Sequence, residues 1–572
     1  MPRLFRLFSP VVLAVALGAP VAAQAEDAGA FLAARVAMAD SDFRAAAGWY
    51  SRAMLSDTRN PALLEGAVIA NVNIGEVDLA AEVARRLLDV GGRNQTATLA
   101  LMARHAKAGD YAALLGLLVP LAQGEEGQTA GALLDGLVRA WAEVGAGRMS
   151  EALEGFDALT ATKGLEVFGL YHKALALASV GDFEGADDIL SGRAAGSIAV
   201  TRRGIIAHVQ ILSQLENNTE AVVVLDRNFP QGQDPGIDDL RARLVAGETV
   251  PFDMARTAVD GLAEAFFSLA AALNGEAEDS YTLLYARIAT YLRADHVDAI
   301  LLTAGLLEMQ GQYDLATEAY ALIAADNPAS YVAEIGRADA TYAAGRKEAS
   351  IEIVQALARS KGSILAVQVA LGDALRREER FAEAAKAYDA AIALVPVPID
   401  RHWSLFYSRG ICHERSGNFP AAEVDFRRAL DLNPDQPQVL NYLGYSLVDR
   451  GEKLPEALEM IERAVAAQPD QGYIIDSLAW ALFRLGRHAE ALAPMERASL
   501  LKPVDPVVTD HLGDVYWTVG RKLEAEFQWR RALSFEPEEK DAVRIRRKLE
   551  VGLDTVAAEE AAANKPVVEA LP

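Results

Sequence analysis

Residues 436–469 read QPQVLNYLGYSLVDRGEKLPEALEMIERAVAAQP, and residues 470–503 read DQGYIIDSLAWALFRLGRHAEALAPMERASLLKP. The two stretches share a small residue (Gly444, Ala479), a turn glycine (Gly451, Gly486), two alanines (Ala457 and Ala464, Ala491 and Ala498) and a closing proline (Pro469, Pro503). The same columns extend outward from there. The small residue recurs at Gly372, Gly410, Gly444, Ala479 and Gly513, in steps of 38, 34, 35 and 34. Alanines follow at Ala384, Ala422, Ala457, Ala491 and Ala525, and again at Ala391, Ala429, Ala464, Ala498 and Ala532. Prolines close the units at Pro396, Pro434, Pro469, Pro503 and Pro537. The longer steps coincide with extra residues around 397–401 and with one insertion near Lys453.

Each unit reads as two helices. Gly417, Gly451, Gly486 and Gly520 stand between them, where a left-handed residue ends a helix. Proline then stops the second helix, because it has no N–H to donate and clashes with the preceding turn. The small columns are the seam where the two helices approach closely, with Phe419, Phe426, Leu443 and Trp529 filling the space between.

These residues resemble the tetratricopeptide repeat family: Leu443-Gly444, Leu512-Gly513 with Tyr516, the turn glycines, the paired alanines, and Phe426 and Trp529. Its 34-residue helix–turn–helix period matches as well. The likeness is strong over 363–539 and fainter upstream, at Gly311, Tyr313 and Tyr320, and at Phe43, Tyr50, Trp141, Phe156 and Phe183. It implies an all-α fold, a right-handed superhelical solenoid of helix–turn–helix repeats. The pattern divides as a degenerate array over 26–225, an irregular linker or hinge at 226–256 and helical hairpins at 257–362. Well-formed repeats at 363–539 follow, then a capping helix at 540–554 and a disordered Ala/Glu-rich tail at 555–572. The linker rests on Pro230, Gly232, Pro235, Gly236 and Pro251, which would join two arrays.

The first 25 residues read as an address. Arg3 and Arg6 precede an apolar run over 11–23, and Ala23-Gln24-Ala25 is a small-x-small cleavage pattern. This predicts a secretory signal cut after Ala25 and a periplasmic chain. No cysteine lies beside the cut to carry a lipid, and no later run is long enough to span a bilayer. The single cysteine, Cys412, excludes an internal disulfide framework and reads as a buried, inert thiol.

Composition narrows the function further. At 51% apolar and 24% charged the 572-residue chain is globular in character, and a net charge of −25 disfavours nucleic acid and anionic membrane surfaces. No zinc-binding His-Glu-x-x-His, nucleophile elbow or phosphate-cradling loop is present, so no catalytic residue, cofactor or metal is expected. The alternative, an enzyme, needs an unrecognised module within 60–290, a stretch that shows no strand alternation. Asp187-Asp188 and Asp238-Asp239 read as solvated surface.

In the family, the first helix of each unit lines an inner wall. Positions −3, +1 and +4 from the small column fall on one helical stripe. That stripe carries Tyr407, Asn441, Tyr445, Asp476, Trp480, Phe483, Asp510, Asp514 and Trp517 as a peptide groove. Aromatics supply contact area at low entropic cost, Asn441 can bond a peptide backbone, and the acids favour a neutral or basic ligand. The resemblance implies a scaffold or adaptor for protein or peptide partners. Exported relatives in Gram-negative bacteria include the adaptor of an envelope protease and envelope assembly factors.

Overall fold

In a computed structural model of the chain, the structure describes residues 21–92, 94–118, 129–194, 201–232 and 234–563. Among them are 31 α-helices, one short 3-10 turn at Asp400–His402 and no β-strand. The chain divides into two compact units, Met1–Lys361 and Gly362–Pro572. The expected leader lies outside the described residues as far as residue 20. None of the described helices is long and apolar enough to cross a membrane.

The second unit is five antiparallel hairpins followed by two further helices. The hairpins are Leu365–Arg377 with Phe381–Ala393, Trp403–Arg415 with Phe419–Leu432, Pro437–Arg450 with Leu454–Ala467, Gly472–Arg484 with His488–Leu501, and Pro506–Thr518 with Lys522–Leu533. The four turn glycines adopt φ between 69° and 86°, the left-handed conformation that releases a helix end without a Cβ clash. In the first hairpin Glu379 takes the same conformation without being glycine. Every alanine of both columns is fully buried.

The small column has a specific partner. A Cβ on Gly410 would come within 2.7 Å of the Phe426 ring, on Gly444 within 2.7 Å of Ile461, and on Gly513 within 2.4 Å of Trp529. In these three hairpins one large side chain of the second helix therefore lies across the backbone of the first, which is why the column stays small there.

The first unit repeats the hairpin plan with less regular spacing and then folds back on itself. The helices Pro61–Asn73, Gln95–Lys107, Thr129–Gly145 and Glu166–Ser179 are the first members of successive hairpins. Ala258–Leu273 packs against the latter two, and Asp279–Leu292 against the former two. Gly261 lies against the Trp141 ring, where an added Cβ would sit 2.2 Å from Cε3. Arg287, buried in this interface, donates from Nε to the Asn73 carbonyl at 2.9 Å, and Lys107 Nζ stands 3.9 Å from the Tyr291 ring centre. The first helices of these hairpins are thus covered by two later helices of the chain.

Three local expectations meet a different structure. Within 226–256, the proline that suggested a break starts a helix, Pro235–Val245. Proline suits the first helical position, and Asp234 caps the end by accepting from Gly236 N and Ile237 N. Buried Arg241 ties the stretch together through Asp226 at 2.8 Å and the Phe229 carbonyl at 2.7 Å. In the tail, residues 555–563 belong to the helix Leu553–Ala563, because Ala and Glu are strong helix formers and Val556 is buried. The rest of the tail, 564–572, lies outside the described residues. Asp187 is not solvated: it is buried, with His208 Nε2 2.7 Å from its Oδ1.

Candidate functional site

The first helices of the second unit's last four hairpins, with the helix Glu539–Val551, surround a cleft of about 930 Å³. Five of the nine stripe residues line it: Asn441, Tyr445, Asp476, Trp480 and Asp510. They come together because positions three or four apart on each helix share one face, and stacking the hairpins sets those faces side by side.

Trp480 is the centre of the aromatic wall. Its ring is sandwiched between Phe483, 4.8 Å away and 8° from parallel, and His511, 3.9 Å away and 10° from parallel. His511 Nδ1 donates to Asp476 at 3.0 Å. Burial alone would lower the His511 pKa, but the Asp476 carboxylate overrides it and the pKa is raised. The Tyr445 phenol is pushed well above its usual range, first by burial and then by the negative charge of Asp476, Asp449 and Asp541.

Among the described residues, two polar atoms at the cleft have no partner. Asn441 Oδ1 and Trp480 Nε1 are buried without a hydrogen bond. Leaving such a group unpaired costs about 1–3 kcal/mol, so a ligand that supplies the missing donor or acceptor gains by it.

The remaining stripe residues serve other ends. Tyr407 packs inward, its ring 5.9 Å from Tyr442 and 6.1 Å from Phe426, and burial lifts its phenol to about 12. Phe483 backs Trp480. Asp514 is fully buried and does not face the cleft: it accepts from Lys548 Nζ at 2.7 Å and from Trp529 Nε1 at 2.9 Å. Trp517 donates to Asp554 Oδ2 at 3.0 Å and packs against Gly552, so the turn after the capping helix covers it. Asp510 is shared, lining the cleft while accepting from Lys548 Nζ at 2.8 Å. Burial and the neighbouring Asp514 raise its pKa, and Lys548 opposes them.

The face that lines the cleft is wider than positions −3, +1 and +4. Tyr442 and His511 sit two positions before the small column and Tyr473 six before it, yet all three line the cleft. Asp541 and Arg544, from the helix Glu539–Val551, complete it. A wider angular window would have found the first three; the last two follow only from how that helix docks.

The first unit holds a further cluster of perturbed groups, around Glu264. Glu264, buried, accepts from Tyr171 Oη at 2.9 Å, from Arg203 Nε at 2.8 Å and Nη2 at 2.6 Å, and from His296 Nε2 at 3.0 Å. Burial would raise its pKa, but Arg203 and His296 hold it well below the usual carboxylate range. With both oxygens saturated and enclosed, it holds helices together. The described residues of 60–290 contain no β-strand, and no group of three or more His, Cys, Asp or Glu among the described residues is placed to hold a metal ion.

Residues 369–437, 407–472 and 441–503 match the family described as tetratricopeptide repeat. A TPR repeat-containing protein of Pseudomonas aeruginosa is 30% identical over 198 residues, 34% of this chain and 32% of that protein. The photosystem I assembly protein Ycf3 of Cyanophora paradoxa is 34% identical over 89 residues, 16% of this chain and 51% of that protein. The chain thus spans about a third and about half the length of these two relatives. Among solved structures, the APC/C heterotetramer Cut9–Hcn1 aligns with 93% of this chain and 97% of its own at 14% identity, with a TM-score of 0.38. With its ring-over-glycine hairpins repeating through 369–503, that segment of the chain is built of tetratricopeptide repeats.

Proposed function

We propose that this protein is a non-catalytic scaffold of the periplasm that binds an extended segment of another protein in the cleft of its second unit. In this reading it serves as an adaptor for an envelope protease or an assembly factor. The observation that carries it is the pair of unpartnered buried atoms, Asn441 Oδ1 and Trp480 Nε1, set among aromatic side chains. One accepts and one donates, the complement of a peptide backbone. The first unit supports the assignment by contrast, since Ala258–Leu273 and Asp279–Leu292 already cover the equivalent wall. Export is supported by the basic and apolar start of the sequence ending at Ala25. A role in assembly is in keeping with the name of the Cyanophora relative.

The test is photocrosslinking from defined positions in exported extract. Probes at Tyr445 and Tyr473 should capture a partner, and probes at Trp517 and at exposed Glu462 on a second helix should capture far less. Equal capture at all four removes the cleft from consideration. Export is checked separately by sequencing the mature amino terminus, expected at Glu26.

A further inference from the structure

The cleft carries a charge pattern that a peptide backbone alone does not require. Asp449 and Asp541 reach it from two different helices, and neither carboxylate has a hydrogen-bond or ion-pair partner among the described residues. Both act with Asp476 to raise the pKa of the Tyr445 phenol, and Arg484 opposes them. Eight carboxylates and four cations line the cleft, and of the cations Arg544 and Lys540 are paired with carboxylates while Arg484 and Arg415 meet neutral groups. Arg484 donates to the Asp449 carbonyl at 3.2 Å, Arg544 to Glu560 at 2.7 Å, and Lys540 pairs with Glu538 at 3.3 Å. Arg415 lies over the Phe381 ring.

Acidic side chains by themselves are ordinary solvated surface. Here they flank Asn441 and Trp480, each more than nine-tenths buried with a polar atom unsatisfied. Those two atoms ask for a ligand, and the carboxylates say which. We infer that the cleft selects an extended polypeptide segment bearing a lysine or arginine. Its cation sits against the Tyr445 ring beside Asp449 and Asp541, and its backbone satisfies Asn441 and Trp480. An aromatic face next to unpaired carboxylates suits such a cation, because the ring quadrupole adds to the charge attraction. This inference rests on the cleft being a protein-binding site.

Fluorescence anisotropy on the full chain tests it, with three labelled peptides of about a dozen residues. They share degenerate flanks and differ only at two central positions: lysine and arginine, two glutamines, or two glutamates. The basic peptide should bind tightest and weaken steeply as salt is raised toward roughly 0.5 M, where screening cuts in within a few ångströms. The double variant Asp449→Asn/Asp541→Asn should weaken the basic peptide about tenfold and the glutamine peptide far less, so that the gap between them narrows. Asn441→Ala should weaken every peptide. If all three bind alike and the double variant changes nothing, the charge selection is overturned while the cleft reading stands. If none binds and the crosslinks from Tyr445 and Tyr473 also fail, both fall together.

Discussion

Trp141 Nε1 donates to His172 Nδ1 across 3.0 Å, and both side chains are fully buried. The bond makes Nδ1 an acceptor, so the ring is neutral and carries its proton on Nε2, 3.2 Å from Ser268 Oγ. Burial lowers the His172 pKa to about 4, with the Glu264 charge opposing. The unfolded chain binds this proton near pH 6.5 and the folded chain only near 4, so stability falls as pH drops through that window and levels off below it. The loss is on the order of 3 kcal/mol. Glu264, held below its ordinary range, adds a further loss in the same direction once pH enters the carboxylate range. Urea unfolding of His172→Gln, which keeps an acceptor for Trp141, should show the slope between pH 6.5 and 4 largely removed. An unchanged slope assigns the effect elsewhere.

Lys548 has no exposed side-chain surface and is held between Asp510 and Asp514. Removing one member of such a cluster strands the others. Lys548→Met should therefore destabilise the second unit by about 3–5 kcal/mol and loosen the last two helices. Denaturant titration and protease cleavage within 539–563 would show both. Adding Asp510→Asn and Asp514→Asn should recover most of the loss, because the repulsion is then gone. A single variant as stable as the parent refutes the account.

Two glycine-to-alanine changes in the first unit should have opposite signs. At Gly305, on a helix with nothing within 4 Å of the new Cβ, alanine should stabilise by about 0.5–1 kcal/mol through lower unfolded-state entropy. At Gly261 the same gain is overwhelmed by the Trp141 ring, and a net loss of about 1–3 kcal/mol is expected. Thermal melts of the two variants decide whether Ala258–Leu273 docks on Trp141 as described; a stabilised Gly261→Ala would show that it does not.

Cys412 is fully buried, and burial pushes its thiol up to about 11. The thiolate is the reactive form, so a disulfide reagent at neutral pH should label the folded protein very slowly and the denatured protein at once. Fast labelling of the native chain would contradict the packing of the second hairpin.

The cleft was partly legible beforehand. Asn441, Tyr445, Asp476, Trp480 and Asp510 were found because a helical stripe is written into residue spacing. Asp514 and Trp517 share that stripe and still fall outside the cleft. Lys548 claims the one and Asp554 with Gly552 covers the other, and neither contact leaves a periodic trace. The helix at 235–245 was hidden by the prolines and glycines around it, since the same proline that breaks a helix interior can open a new helix.

Sequence alone determined the hairpin, its turn glycines, its alanine seam and the side of each first helix that faces inward. All of these are contacts within a repeat or between neighbours, and a short-range contact recurs whenever the repeat does. Tertiary structure alone decided which inward walls stay open. In the first unit Arg287 meets Asn73 across a separation of 214 residues, and that return of the chain covers a wall the pattern would have left free. In the second unit the final helices close the last position and leave the one before it open. Such long-range contacts are each made once, from side chains with no periodic counterpart, so they become visible only when the chain has folded.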